Sequence, residues 1–142
     1  MANATYTAFK QGVLNAEYDL NTASIKVALV RAYAFSAAHA TMADVTAAGG
    51  VVNGTSAALT NVTITGGVFD ADDTTITTTA SAVNHYLIVY QASAVTGGAD
   101  VAAASQKLIA YFDTGTGLPV VPGAGTLSIA WANTTNRIVK IG

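Results

Sequence analysis

The sequence contains no cysteine, which removes a disulfide framework, a thiolate metal site and a cysteine nucleophile together. It is also short of charge. Asp, Glu, Lys and Arg make up 10% of its 142 residues, against about 25% in an average soluble domain. The six basic side chains, Lys10, Lys26, Arg31, Lys107, Arg137 and Lys140, are scattered along the chain, and no run of them could track a phosphate backbone, so no nucleic-acid partner is expected. No long apolar run is present either. The longest stretch free of charged residues, 74–99, is broken by Thr, Ser, Asn and Gly, unlike a membrane-spanning helix. The first residues lack the basic region and apolar core of a signal peptide, and a soluble protein made in the cytoplasm, with no membrane association, is expected.

What remains is a chain that is 51% hydrophobic, with a mean hydropathy of +0.44 and a net charge of −2. Its length suits one domain, with enough surface buried on folding to need neither disulfide nor metal. The solvent-facing positions must be filled largely by Thr, Ser, Asn, Gly and Ala. A surface so weakly charged is poorly protected against association, which makes protein the natural partner class.

Residues 3–18 place Tyr6, Phe9, Val13 and Leu14 at helical spacing, with Asn3 or Thr5 available as a cap, and predict one short N-terminal helix. Gly12 weakens it, since an interior glycine costs about 1 kcal/mol relative to alanine. After a turn at Asp19, Leu20 and Asn21, the run Ile25–Arg31 reads as a strand with Ile25, Val27 and Leu29 on one face. Residues 36–44 read as a helical turn or an irregular excursion. Further strands are predicted at 56–65, 74–79, 83–92, 107–114, 126–132 and 137–141. The pattern predicts a mainly β fold, an antiparallel sandwich or barrel-like domain with one short helix. It is a single domain over 1–142, with 1–18 helical and 24–142 forming the β part. The Thr-rich run at 74–79 combines strand propensity with low charge, which suits a sheet edge or an inter-subunit surface.

Few groups could carry chemistry. Asp70, Asp72 and Asp73 are the one local concentration of charge and a candidate oxygen-ligand set for calcium; the spacing does not fit an EF-hand, and a solvated turn stabilised by Asp side chains is the alternative. His39 and His85 are the two histidines. Neither has the companions a zinc site needs, and His85 reads as a packed strand residue, while His39 is a pH sensor only if it lies at an interface. No serine sits in a nucleophile-elbow motif. Gly115 and Gly117 open like a dinucleotide fingerprint, but Leu118 and Pro119 follow, so they read as a turn. Tyr6, Tyr18, Tyr33, Tyr86, Tyr90, Tyr111 and Trp131 offer aromatic faces to a sugar, yet most fall in patterns that demand core residues. Trp131 shares a strand face with Leu127 and Ile129 and should be buried. No catalytic residue and no cofactor is assigned.

Several segments, in order, resemble a family of small tailed-bacteriophage virion proteins: Ile25-Lys26-Val27-Ala28-Leu29-Val30, Tyr33-Ala34-Phe35-Ser36-Ala37-Ala38-His39, Gly67-Val68-Phe69-Asp70-Ala71-Asp72-Asp73, Leu108-Ile109-Ala110-Tyr111-Phe112-Asp113 and Thr116-Gly117-Leu118-Pro119-Val120. The resemblance spans nearly the whole chain. It implies a non-enzymatic structural role in the virion, made in the host cytoplasm. The first expectation is a capsid decoration (cement) protein on the capsid surface. It would bind the major capsid protein or other virion proteins as a homo-oligomer, with a trimer favoured, and gain avidity from several modest contacts. A tail or neck subunit and a carbohydrate-binding adhesion module are the alternatives. The docking candidates are the N-terminal helix, through Tyr6, Phe9 and Val13, and the Thr-rich strand, through Thr75 and Thr77. If the helix docks, Phe9→Ala should weaken particle association more than it lowers the melting temperature.

Overall fold

The computed structural model describes residues 3–21, 23–79, 82–84, 86–95, 97–132 and 138–141. The strands are β1 (Ala4–Thr5), β2 (Ile25–Arg31), β3 (Val51–Thr55), β4 (Thr63–Thr65), β5 (Val68–Asp70), β6 (Thr74–Thr78), β7 (Tyr86–Gln91), β8 (Lys107–Phe112), β9 (Gly125–Ile129) and β10 (Val139–Lys140). Two short helices, α1 (Thr7–Leu14) and α2 (Met42–Ala47), and a 3-10 turn at Ala103–Ser105 complete the elements. The fold is mainly β, and every strand pairing is antiparallel.

The central sheet has the order β1-β8-β7-β2-β3. Its middle strands carry β-branched and aromatic residues at consecutive positions, which fits strands covered on both faces. Alternation along the strands sorts these side chains. Leu29, Leu87 and Phe112 stand in register on one face, with Val27, Val89 and Ala110 beside them. Ala28, Ile88 and Tyr111 stand in register on the other, with Val30 opposite Tyr86.

Each face is covered by a different part of the chain. Over the second face, the segment after β2 folds back so that Phe35 stacks on Tyr111 at 4.3 Å and Tyr33 meets Tyr86 and Tyr111 edge-on at 6.1 and 6.0 Å. Over the first lies a three-stranded sheet of order β10-β5-β4. Its Ile138 and Val139 line a cleft with Ala110 and Phe112. The third sheet, the β6–β9 ribbon, continues outward from β3 through a bridge between Ser56 and Ile76. One core cluster runs from Tyr6 to Val139 and takes in residues of α1, α2, β2, β5, β6, β7, β8, β9 and β10. The sheets do not close into a barrel, since β1 and β10 each have a hydrogen-bonded neighbour on one side only.

Several expectations are corrected. The N-terminal helix is shorter than 3–18 and neither Asn3 nor Thr5 caps it. Tyr6 occupies the N-cap without a side-chain bond. Thr5 is instead in β1 opposite Ala110. Asn3 has a distant partner: its Oδ1 accepts from the Asp113 and Thr114 amides, both at 3.1 Å, and its Nδ2 donates to the Thr114 carbonyl at 3.1 Å. The excursion after β2 contains a true second helix, α2. The strand expected over 56–65 is mostly not a strand: only Thr63–Thr65 is, and Leu59 is buried within the connection. Three strands, β1, β3 and β5, lie where none was expected. The strand expected over 137–141 is observed as Val139–Lys140, and its first residue lies outside the described residues, as does His85.

At the start of α2, Asp44 closes a capping box. Its Oδ2 accepts from the Ala40 and Thr41 amides, each at 2.9 Å, and from Thr41 Oγ1 at 3.0 Å. These donors favour the ionised form and hold the carboxyl below the ordinary Asp range, the Ala40 amide foremost. The stabilisation is therefore complete above the ordinary carboxylate range and is lost as pH falls through the depressed folded value. Asp44→Ala should cost about 1 kcal/mol at neutral pH. Urea unfolding should show that difference shrinking as the pH is taken down through the acid range.

Candidate functional site

Among the sequence-level candidates, Thr75 and Thr77 are the two that reach solvent on a regular surface. β6 alternates so that Ile76 and Thr78 are buried while Thr75 and Thr77 are exposed. Across the ribbon, Thr75 pairs with Ser128 and Thr77 with Thr126, and both partners are exposed as well. The result is a flat face of four hydroxyls with no charged side chain. Below it, Thr78 Oγ1 donates to the Gly123 carbonyl at 2.8 Å, and Ile76 is fully buried. The face is thus fastened to the core.

β6 pairs with β9 along one side, and on the other a single bridge from Ile76 to Ser56, just after β3, covers part of its edge. Thr79 Oγ1 donates to the Asn53 carbonyl at 3.3 Å and adds to that junction. Among the described residues, β9 is the outer strand of the ribbon. Val51 and Val52 at the start of β3 are also exposed.

The helix does not present the surface expected of it. Tyr6 and Phe9 are fully buried. Phe9 packs edge-on against Tyr18 with ring centroids 5.2 Å apart, and Tyr6 sits 5.5 Å from Phe35. Their helical spacing reflects the domain's own core. Val13 is partly exposed and lines a cavity of about 450 Å3 with Phe9, Tyr18, Ile64, Phe69 and Ile141. Leu14 is the exposed large apolar residue of the helix.

The tyrosines form an internal network. Tyr6 Oη lies 3.2 Å from Tyr33 Oη, which lies 2.7 Å from His39 Nδ1. Burial pushes the Tyr6 and Tyr111 phenols well above their ordinary range, and burial likewise raises Tyr33 and Tyr90. Tyr18 is pushed up to about 12, chiefly by burial; its hydroxyl donates to the Leu108 carbonyl at 2.8 Å. Tyr6, Tyr33, Tyr90 and Tyr111 are buried, whereas Tyr18 and Tyr86 are partly exposed. Trp131 is partly buried, 6.2 Å from Phe112, beside a crevice of about 570 Å3.

The acidic group does not converge. Asp72 Oδ2 accepts from Asn61 Nδ2 at 2.6 Å, whereas Asp73 Oδ1 accepts from the Trp131 amide at 2.8 Å. Both side chains hold loops together, the use of Asp that turns commonly make. Among the described residues, no three His, Cys, Asp or Glu groups gather as a metal would require. Asp72 and Asp73 act here as structural acceptors.

Sequence reasoning missed the role of the β3–β6 junction, whose signal is Gly54. A Cβ at that position would press on the Thr77 carbonyl and stand 2.7 Å from Ile76 Cγ2. Comparison with known proteins adds no relative: no family model, no curated protein and no solved structure matches the chain.

Proposed function

We propose that this chain is a non-enzymatic structural protein of a tailed-phage virion, with capsid decoration as the favoured role. In this reading it binds the major capsid lattice as a homo-oligomer and stabilises it by bridging neighbouring subunits. The observation that carries the reading is the hydroxyl face of Thr75, Thr77, Thr126 and Ser128 on a ribbon anchored to the core. Such a face is pre-formed, loses little side-chain entropy on contact, and buries no ion. Several modest contacts of this kind, made at once by an oligomer, would give high avidity.

The open outer strand β9 favours a second reading. A free edge allows ring-to-ring stacking in a tail or neck. Electron microscopy and copy number on purified particles separate the two. Hundreds of copies on the head shell support decoration; several dozen along the tail support the second reading; absence from virions rejects both.

The docking face has its own test. Thr75→Arg with Thr77→Arg places two cations on solvent-exposed positions, so the fold should be retained. Occupancy on particles should fall at least about tenfold, since burying unpaired charge at an interface is costly. Unchanged occupancy by a folded double variant would remove the ribbon from the docking surface.

A further inference from the structure

The cleft between β1 and β10 is lined in a way that neither the core nor the hydroxyl face explains. It is a cavity of about 560 Å3 whose walls include Asn3, Thr5, Phe112, Ile138, Lys10 and Lys140. No carboxylate lines it. In a chain with six basic residues, two of them share one opening. Other cations are occupied elsewhere: Lys26 is paired with Asp100 at 2.6 Å, and Lys107 donates to the Glu17 carbonyl and lies over the Tyr18 ring. Lys10 and Lys140 are exposed and have no ionic partner among the described residues. The cleft is a positive spot on a chain of net charge −2.

We propose that this cleft receives the acidic turn of a second copy of the same chain, with Lys10 and Lys140 facing Asp72 and Asp73 of its neighbour. Charge complementarity selects the occupant. The exposed carboxylates of Asp72 and Asp73 are engaged by neutral donors, Asn61 and the Trp131 amide, which fix their position without cancelling their charge. Within one copy the two poles are kept apart. Lys140 lies opposite Val68 at the start of β5, whereas the acidic residues follow from the end of the same strand. The giving and receiving surfaces therefore differ. Such a contact can be made reciprocally across a two-fold axis, or head to tail around a ring where the rotation closes. Among the described residues, β1 and β10 are each paired with a strand on one side only.

This inference deepens the homo-oligomeric part of the function proposed above and rests on it. It is tested on the purified full-length protein without particles, so its failure is distinct from failure of the docking face. Exposed ion pairs are individually weak and salt-sensitive. Sedimentation velocity should show self-association that weakens about tenfold between about 0.05 and about 0.5 M NaCl. Lys10→Gln with Lys140→Gln, and separately Asp72→Asn with Asp73→Asn, should each weaken low-salt association about tenfold and remove its salt dependence. The asparagine amides retain an oxygen that can accept the bonds from Asn61 and the Trp131 amide. Should the asparagine variant fail to fold, carbodiimide cross-linking of mixed isotope-labelled copies decides instead. An inter-copy link from Lys10 or Lys140 to Asp72 or Asp73 is the expected product. A monomer at both salt concentrations, an oligomer indifferent to the lysine changes, a folded asparagine variant that still associates, or cross-links elsewhere would each overturn the proposal.

Discussion

Phe9→Ala should destabilise the isolated domain by about 3–5 kcal/mol, the usual cost of emptying a buried aromatic site. For a chain of this size that is a drop in melting temperature on the order of 10 °C. The ring is fully buried and packs edge-on against Tyr18, whose hydroxyl is bonded to the Leu108 carbonyl. Tyr18 is thereby held in place and cannot readily swing in to fill the space. Thermal unfolding followed by circular dichroism measures the effect. The helix-docking expectation is reversed: particle association should suffer only through the unfolded fraction. An unchanged melting temperature together with lost particle association would return Phe9 to the surface and contradict the packing described for α1.

Gly54→Val should have an effect of similar size, by overpacking. Insertion into a filled core commonly costs about 1–3 kcal/mol, and here one obstacle is backbone. A Cβ at Gly54 would meet the Thr77 carbonyl and lie 2.7 Å from Ile76 Cγ2. The carbonyl belongs to β6, so relief requires moving the whole ribbon away from β3. The register shift in β3 reinforces this: Leu29 pairs with Gly54 and Val30 with Val52, leaving Asn53 as the extra residue at the junction. Gly54→Val is therefore expected to cost about 3 kcal/mol or more and to expose the ribbon to proteolysis before the central sheet. Limited proteolysis with mass spectrometry would detect it. A variant as stable and as resistant as the parent would mean that the ribbon stands independently of β3.

The strands that could be read from the sequence are those whose local pattern and tertiary environment agree. Ile25–Arg31 is rich in aliphatic residues, with Ile25, Val27 and Leu29 alternating onto one face, and becomes the inner strand β2, paired on both sides. The runs around β6, β7, β8 and β9 were legible for the same reason, with ends displaced by a few residues. β3 was not, because Asn53 and Gly54 look like turn residues. Their presence is explained by close approach of β6, which no local pattern records. The span 56–65 failed in the opposite direction: its Thr and Val content suggests a strand, but Leu59 bonds singly to Ile25 and the chain then turns away.

Helix caps and docking residues failed through long-range competition. Asn3 has the chemistry of a cap, yet its oxygen serves amides more than a hundred positions along the chain. Tyr6 and Phe9 have the spacing of an amphipathic helix, and spacing alone does not say whether the apolar stripe meets its own domain or another. The exposure of Thr75 and Thr77 was legible from alternation, whereas the bridge from Ile76 to Ser56 was not. The lysine cleft was invisible because Lys10 and Lys140 lie at opposite ends of the sequence and meet only through the pairing of β1 with β8 and of β10 with β5.

The anchoring of Ala4 and Thr5 on Tyr111 and Ala110 bears on synthesis. As the polypeptide leaves the ribosome, β1 must wait until Ala110 and Tyr111 have been synthesised before its partner emerges. Through that interval Tyr6 and Phe9 are unshielded on a nascent chain that folding cannot yet enclose, and loops so long close slowly. Synonymous codons that delay elongation before position 112 should therefore lower the soluble yield without altering the mature product.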